Sequence, residues 1–319
     1  MPTSRPEPFR PGLLRPTADL RRLGESPGDR EEDGQPKWIK VRRGVVVRAA
    51  TWRGLTPEQR HAALVHSTVM QMSSATLPTF SHTSAAALWR LPRVTAWPAR
   101  VDVSISGGKI HSSGLVRRHR ADVGEPEVID GVPVTSLMRT LIDLARTEEL
   151  PDAVAAADHA LHHKLCTREE LLVELDTVAA GARGRSQAAL VVNLADAGAM
   201  SVGESLSRVQ MFRLNIPRPR LQVSIEDDEG LAGVCDFWWE GVVGEFDGRM
   251  KYRVREGMSP AEIEQVLWSE KKREDRIRAR DHKMARWVWA DAARPMRMVA
   301  KLEAQGIARQ ARNTWFDAA

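Results

Sequence analysis

Two apolar runs, CDFWW and VVGEF, are separated only by Glu240 and Gly241, and this spacing constrains the chain more than any other feature. Two turn-forming residues between apolar runs predict a tight β-hairpin. In that register Asp236 lies opposite Glu245, with facing side chains about 5 Å apart at Cβ. Asp247 shares a strand face with Glu245, because side chains two positions apart point the same way. We therefore expect three carboxylates to converge on one face.

Carboxylates that face one another in a sheet repel, so their charge must be compensated. A divalent cation such as Mg²⁺ is one solution, because it prefers carboxylate oxygens, and Asp236 and Glu245 are then its ligands. Basic side chains just downstream, such as Lys251, are an equally good solution on an ordinary solvated strand face. Glu204, in the helix predicted before the sheet, is placed to add a further carboxylate. The spacing alone leaves both interpretations open.

Length and charge limit what the chain can be. At 319 residues it is long enough for two domains. A net charge of +5 and a pI near 9.5 permit a nucleic-acid partner. We expect a cytoplasmic protein without a membrane partner, because no apolar run is long enough to span a bilayer and MPTSRPEPFRPG lacks an apolar signal region. Cys166 and Cys235 are too far apart to suggest a disulfide framework or a zinc finger.

The pattern along the chain predicts an α+β protein. Residues 1–36 are rich in Pro, Arg, Glu and Gly and lack apolar periodicity, so we expect a disordered segment. Residues 37–180 alternate short strands and helices, beginning with a β-hairpin at WIKVRRGVVV. The glycine-rich stretch AAGARGRS (179–186) is typical of a domain boundary. Residues 186–319 follow as a second domain, in which a helix precedes an αβββαβ series.

The stretch from about 200 to 305 resembles the PD-(D/E)XK nuclease superfamily, in particular bacterial domains similar to very-short-patch-repair (Vsr) endonucleases. The motifs GES, CDFWW, GEFDG, EKKREDRIR and RWVWAD carry the resemblance, in the family's order. It implies a restriction-endonuclease-like αβββαβ fold and a Mg²⁺-dependent endodeoxyribonuclease. In such a site the ion polarises the scissile phosphate and activates water.

The resemblance also implies roles for individual residues. Asp236 and Glu245 are the implied Mg²⁺ ligands, and Glu204 is the acid of the first helix. The superfamily's usual lysine is replaced here by Asp247, so the cation that stabilises the phosphate is expected at Lys251.

The segment from about 37 to 175 resembles the AbiEi family of type IV toxin–antitoxin antitoxins, which are transcriptional autorepressors. FSHTSAAALWRLP, GLVRRHRADV and GVPVTSLMRTLIDLA carry this resemblance. It implies a DNA-binding winged helix and a cognate toxin as partner. WIKVRRGVVV is similar to the wing, with Arg42 and Arg43 on phosphates. The helices expected before the wing are replaced by residues 1–36, so we expect only a winged-helix remnant.

The helix predicted around EKKREDRIR adds a basic face in which Lys271, Lys272 and Arg273 are suited to approach phosphates. An ordinary solvated helix with charge pairs four residues apart has the same pattern. Two functions follow. One is a metal-dependent endonuclease tethered to an antitoxin-like module. The other is a non-catalytic regulator of antitoxin type whose nuclease-like domain only binds DNA or a partner.

Overall fold

The computed structural model describes residues 7–72, 77–107, 113–248 and 259–317. The chain divides into two compact units, Met1–Ala195 and Asp196–Ala319. Helices and sheets are mixed in both units, which confirms the α+β class. Within the described residues, no helix is both long enough and apolar enough to cross a membrane.

The first unit contains two sheets and eight α-helices among its described residues. Its strands are β1 (Arg15–Pro16), β2 (Trp38–Arg42), β3 (Val45–Arg48), β4 (Thr79–Phe80), β5 (Val101–Ile105), β6 (Val116–Arg120), β7 (Glu127–Ile129) and β8 (Val132–Val134). Its helices are α1 (Thr17–Arg22), α2 (Ala49–Gly54), α3 (Pro57–Val69), α4 (His82–Leu88), α5 (Leu137–Thr147), α6 (Leu150–His162), α7 (Arg168–Asp176) and α8 (Arg185–Leu194).

The N-terminal segment is ordered from residue 7, so the prediction of disorder over 1–36 is wrong for the part that the structure describes. A 3₁₀ turn at Pro11–Leu13 leads into β1, which pairs with β3 in a sheet of order β1-β3-β2. Leu20 of α1 is fully buried against Trp38 and Val46. The segment's few apolar residues suffice, because β2 and β3 supply the surface on which they pack.

A polar cluster lies inside the larger sheet, whose strand order is β6-β5-β4-β8-β7. Asp102 of β5 is fully buried, and Arg117 Nε and His119 Nε2 of β6 lie 2.5 and 2.8 Å from its Oδ1 atom. The hydroxyl of Thr83 in α4 donates to the other oxygen. Burial alone would raise the pKa of Asp102, but the hydrogen bonds from His119, Arg117 and Thr83 hold it well below its usual range. The carboxylate thereby ties β5, β6 and α4 together.

The sequence predicted a domain boundary within 179–186, but the boundary between the two units lies after residue 195. Helix α8 belongs to the first unit, because the Gln187 amide donates to the carbonyls of Ala145 and Glu148 at 2.8 and 2.9 Å. Gly184 has φ +80°, and a Cβ there would lie 2.4 Å from the Arg146 carbonyl oxygen. The glycine therefore permits a close contact between helices rather than marking a linker.

The second unit follows the predicted αβββαβ order. Its elements are α9 (Val202–Arg213), β9 (Arg220–Asp227), β10 (Gly230–Trp239), β11 (Val242–Asp247), α10 (Pro260–Arg278), β12 (Lys283–Val288), α11 (Trp289–Ala292) and α12 (Pro295–Glu303). They form a sheet of order β12-β11-β10-β9 in which only β11 and β12 are parallel.

The two long helices of this unit contact alternate residues of β11. Val243 packs in one cluster with Ile277 of α10, whereas Gly203 of α9 lies against the ring of Phe246. Because side chains alternate along a strand, Val243 and Glu245 face α10, and Phe246 faces α9. This alternation decides which helix can reach each acidic residue.

We expect Leu20→Ala to lower the free energy of unfolding by about 2–5 kcal/mol, since it removes a fully buried leucine. Leu23→Ala is the matched control three residues later, because Leu23 is 73 % exposed and should change stability by less than about 0.5 kcal/mol. Urea unfolding measures both variants. Equal stability of the two would mean that the N-terminal segment is not part of the folded unit.

Candidate functional site

The hairpin of β10 and β11 has the predicted register. Phe237 pairs with Gly244, and the pairs Trp238–Val243 and Trp239–Val242 complete the register up to the two-residue turn. The pairing ends at Phe237–Gly244, so Asp236 and Glu245 are the residues that directly adjoin the last pair on the two strands. The prediction that these two acids belong to adjacent strands of one ribbon is therefore confirmed.

Asp236 is bonded to the backbone of the neighbouring strand. Its Oδ2 atom accepts a hydrogen bond from the amide of Phe246 at 2.9 Å, and the residue is half-buried. One carboxylate oxygen thus helps to join β10 to β11 at the point where Glu245 and Phe246 pass it. This contact fixes the orientation of the side chain.

Glu245 is buried, with 4 % of its surface exposed, and two arginines hold it. Arg273 Nη2 of α10 donates to Oε1 at 2.7 Å, and Arg286 Nη2 of β12 donates to Oε2 at 2.7 Å. Arg286 is also the register partner of Glu245 across the parallel strands, and it reaches Glu274 of α10 at 3.3 Å. Charge-assisted hydrogen bonds of this length are among the strongest in proteins. We call Arg273, Glu245 and Arg286 the arginine clamp.

A glycine on β10 makes room for the clamp. A Cβ at Gly233 would lie 3.2 Å from Cγ, Cδ and Nη1 of Arg273. The Arg273 stem therefore lies flat on the strand backbone while its head reaches Glu245. The expected role of Arg273 in phosphate binding is not supported, because its side chain is 21 % exposed and its guanidinium is bonded to a buried carboxylate.

Glu204 caps a helix rather than joining the other acids. Its Oε1 accepts from the hydroxyl of Ser201, and its Oε2 accepts from the amide of Met200 and the side chain of Gln222, at 2.7, 2.9 and 3.2 Å. These contacts belong to the start of α9, which packs on the Phe246 face of the sheet. Since Glu245 faces α10, the fold separates the two acids that the sequence placed together.

Asp247 has a buried oxygen atom that no described residue satisfies. Within the part of the chain that the structure describes, its Oδ1 atom is inaccessible to solvent and makes no hydrogen bond. Buried polar atoms are nearly always satisfied, so an exception in a cluster of acids calls for an explanation. A cation or a water molecule at this oxygen would satisfy it.

The described residues do not fit a Mg²⁺ site on Asp236 and Glu245. Both oxygens of Glu245 are engaged by guanidinium groups, and Asp236 has one oxygen on a backbone amide. Two positive charges around one carboxylate repel a divalent ion, which would have to displace at least one arginine. No group of three or more His, Cys, Asp or Glu within the described ranges is arranged to hold a metal ion. Lys251, the expected phosphate-stabilising cation, lies outside the described residues.

Helix α10 presents two of its predicted phosphate-binding residues. Lys271 and Lys272 are exposed, and their Nζ atoms lie 5.8 and 5.6 Å from the ring centre of Trp268. Trp268 is 52 % exposed and is not among the residues that the sequence pattern predicts. Its position three and four residues before two lysines was the available signal, because such residues are neighbours on a helix surface.

The two arginines of the predicted wing differ. Arg42 is buried at 7 % exposure and donates from Nη2 to the carbonyl of Leu115 at 2.8 Å, so its expected contact with phosphate is not supported. Burial lowers the pKa of its guanidinium. Arg43 is exposed in the turn between β2 and β3, where its carbonyl accepts a hydrogen bond from Gln71.

Comparisons with known proteins identify no relative: no family model, no curated protein and no solved structure matches this chain. The two resemblances therefore depend on the sequence motifs and on the geometry described above.

We expect Glu245→Gln to lower the free energy of unfolding by about 1–3 kcal/mol, a value reduced from that of a fully buried pair because both arginines keep some exposure. The change leaves two guanidinium groups without their shared counter-charge. Glu240→Gln, in the exposed turn of the same hairpin, is the control and should be nearly neutral. Equal denaturation midpoints for the two variants would contradict the clamp's structural role.

Proposed function

We propose that this protein is a DNA-binding regulator of antitoxin type whose second unit is a nuclease-like αβββαβ domain used for binding rather than for catalysis. The observation that carries the proposal is the arginine clamp. A nuclease of this type needs its strand acids available to a metal ion, whereas the Glu245 carboxylate is buried and has a guanidinium group on each oxygen. In this domain the acid stabilises the fold.

Charge and exposed side chains support the binding function. The chain has a net charge of +5, and Lys271 and Lys272 are exposed on α10. Arg43 is exposed in the turn of a three-stranded sheet of order β1-β3-β2, as expected for a wing that contacts the phosphate backbone. Residues 23–37 form turns and an isolated bridge between Arg30 and Pro36 in place of a second helix. A wing without a recognition helix is suited to contact the phosphate backbone of DNA and to read few of its bases.

A metal-dependent endonuclease is the second candidate, and Asp247 favours it. The buried Oδ1 atom of this residue has no hydrogen-bond partner within the described ranges. Asp247 is the last residue of β11, two positions after Glu245, and Asp236 lies on the adjacent strand β10. If ion binding rearranged the clamp, Asp236, Glu245 and Asp247 would be the residues that bind the metal ion.

Binding and cleavage are tested together on one preparation. We expect the protein to bind a duplex in a salt-dependent way and to leave supercoiled plasmid intact in Mg²⁺ or Mn²⁺. Lys271→Ser with Lys272→Ser should reduce the slope of log affinity against log salt by about 1.8, which corresponds to two phosphate contacts. Arg309→Ser with Arg312→Ser removes the same charge from other exposed positions and should leave that slope nearly unchanged.

Two results would overturn the proposal. Plasmid nicking that EDTA abolishes and that Asp236→Ala or Asp247→Asn removes would establish the endonuclease instead. Failure to bind either duplex or single-stranded nucleic acid at low salt would exclude both candidates.

A further inference from the structure

Trp268 of α10 is the most exposed of the six tryptophans of this unit, and Trp289 is next at 40 %. Trp239, Trp287 and Trp315 are 7, 0 and 4 % exposed, and each donates its indole N–H to an oxygen atom within the unit. Trp268 is 52 % exposed, and the ammonium groups of Lys271 and Lys272 lie beside its ring.

Local helix stability does not account for this residue. A lysine close to a tryptophan on the same helix gives a small stabilisation, which an aliphatic side chain in place of the indole would partly reproduce. The packing of α10 on the sheet is provided by other residues, namely Ile277 in the apolar cluster and Arg273 in the clamp. About half of the indole surface is exposed and, among the residues that the structure describes, is left open to a ligand.

An indole with ammonium groups beside it matches the chemistry of a single nucleic-acid strand. A base stacks on the aromatic face, and the adjoining phosphates are neutralised by the lysines. In a duplex the faces of the bases are covered by their neighbours, so the indole has no base to stack on. We propose that Trp268, Lys271 and Lys272 form a binding site for an unpaired base in single-stranded DNA or RNA. This inference rests on the proposed nucleic-acid-binding function and extends it to a substrate class.

Charge alone would make this a weak site. Glu264 lies one helical turn before Trp268, and Asp275 lies two turns after it, on the same side of α10. Both are exposed, and their negative charges offset the positive charges of the two lysines. Stacking must then supply most of the selectivity, whereas two phosphate contacts give a shallow salt dependence. For single strands the expected slope of log affinity against log salt is about −1.4.

The test is fluorescence anisotropy of the full chain with labelled (dT)15, (rU)15 and a 15-base-pair duplex. Trp268→Ala should weaken single-strand binding about 5- to 150-fold, as expected for one stacked base. Trp268→Phe should retain most of it, because an aromatic face remains. Phe316→Ala, another exposed aromatic of this unit, is the control and should change nothing. Circular dichroism of each variant checks that the fold is kept, and tighter binding of (dT)15 or (rU)15 tells DNA from RNA.

Three outcomes would overturn the inference. Single-strand affinity that Trp268→Ala leaves unchanged, while duplex binding is intact, would refute this site and spare the proposed function. Equal losses for duplex and single strand would mean that Trp268 acts without stacking. Loss of self-association in Trp268→Ala during sedimentation, without any change in nucleic-acid binding, would assign the indole to a second copy of the chain.

Discussion

The second unit depends on how the charge of Glu245 is compensated. A buried carboxylate on a central strand is unfavourable unless its charge is paired, and here Arg273 and Arg286 pair it from α10 and β12. The clamp joins the long helix to both parallel strands. It also fixes the direction of α10, and so determines which residues of that helix face outward. The exposed group of Trp268, Lys271 and Lys272 is a consequence of Arg273 facing inward.

The first unit also contains a buried carboxylate whose charge must be compensated. Asp102 is fully buried, and His119, Arg117 and Thr83 satisfy it from two further elements. In both units a buried acid joins strands to a helix, because both of its carboxylate oxygens accept hydrogen bonds from those elements. Such networks stabilise only when they are complete, because a buried polar atom left unpaired has a high desolvation penalty. In the second unit, Asp247 is the exception among the described residues, because its buried Oδ1 atom has no hydrogen-bond partner there.

Much of the second unit could be predicted because short-range spacing determines it. Only Glu240 and Gly241 separate the two strands, so the turn determines the register, and Asp236 and Glu245 adjoin the last residue pair of the hairpin. The arginines that compensate Glu245 lie 28 and 41 residues later, and no local pattern specifies which face of α10 meets the sheet. The sequence pattern of a basic helix is the same whether its arginine binds a phosphate or a buried carboxylate.

The predictions that were wrong for the first unit also failed because of contacts between residues far apart in the sequence. Residues 7–36 contain few apolar side chains, yet β3 pairs with β1 and Leu20 is buried beneath it. The glycine-rich stretch 179–186 is typical of a domain boundary, but glycine is needed at position 184 because the Arg146 carbonyl lies so close to it. In each case a partner distant in sequence determined the structure.

Calorimetric titration of Mn²⁺ into the purified protein tests most directly whether arginines, rather than a metal ion, neutralise this cluster. We expect no saturable binding at millimolar Mn²⁺, and the same flat titration for Asp236→Asn and Asp247→Asn. Stoichiometric binding by the wild-type chain that either substitution abolishes would contradict it.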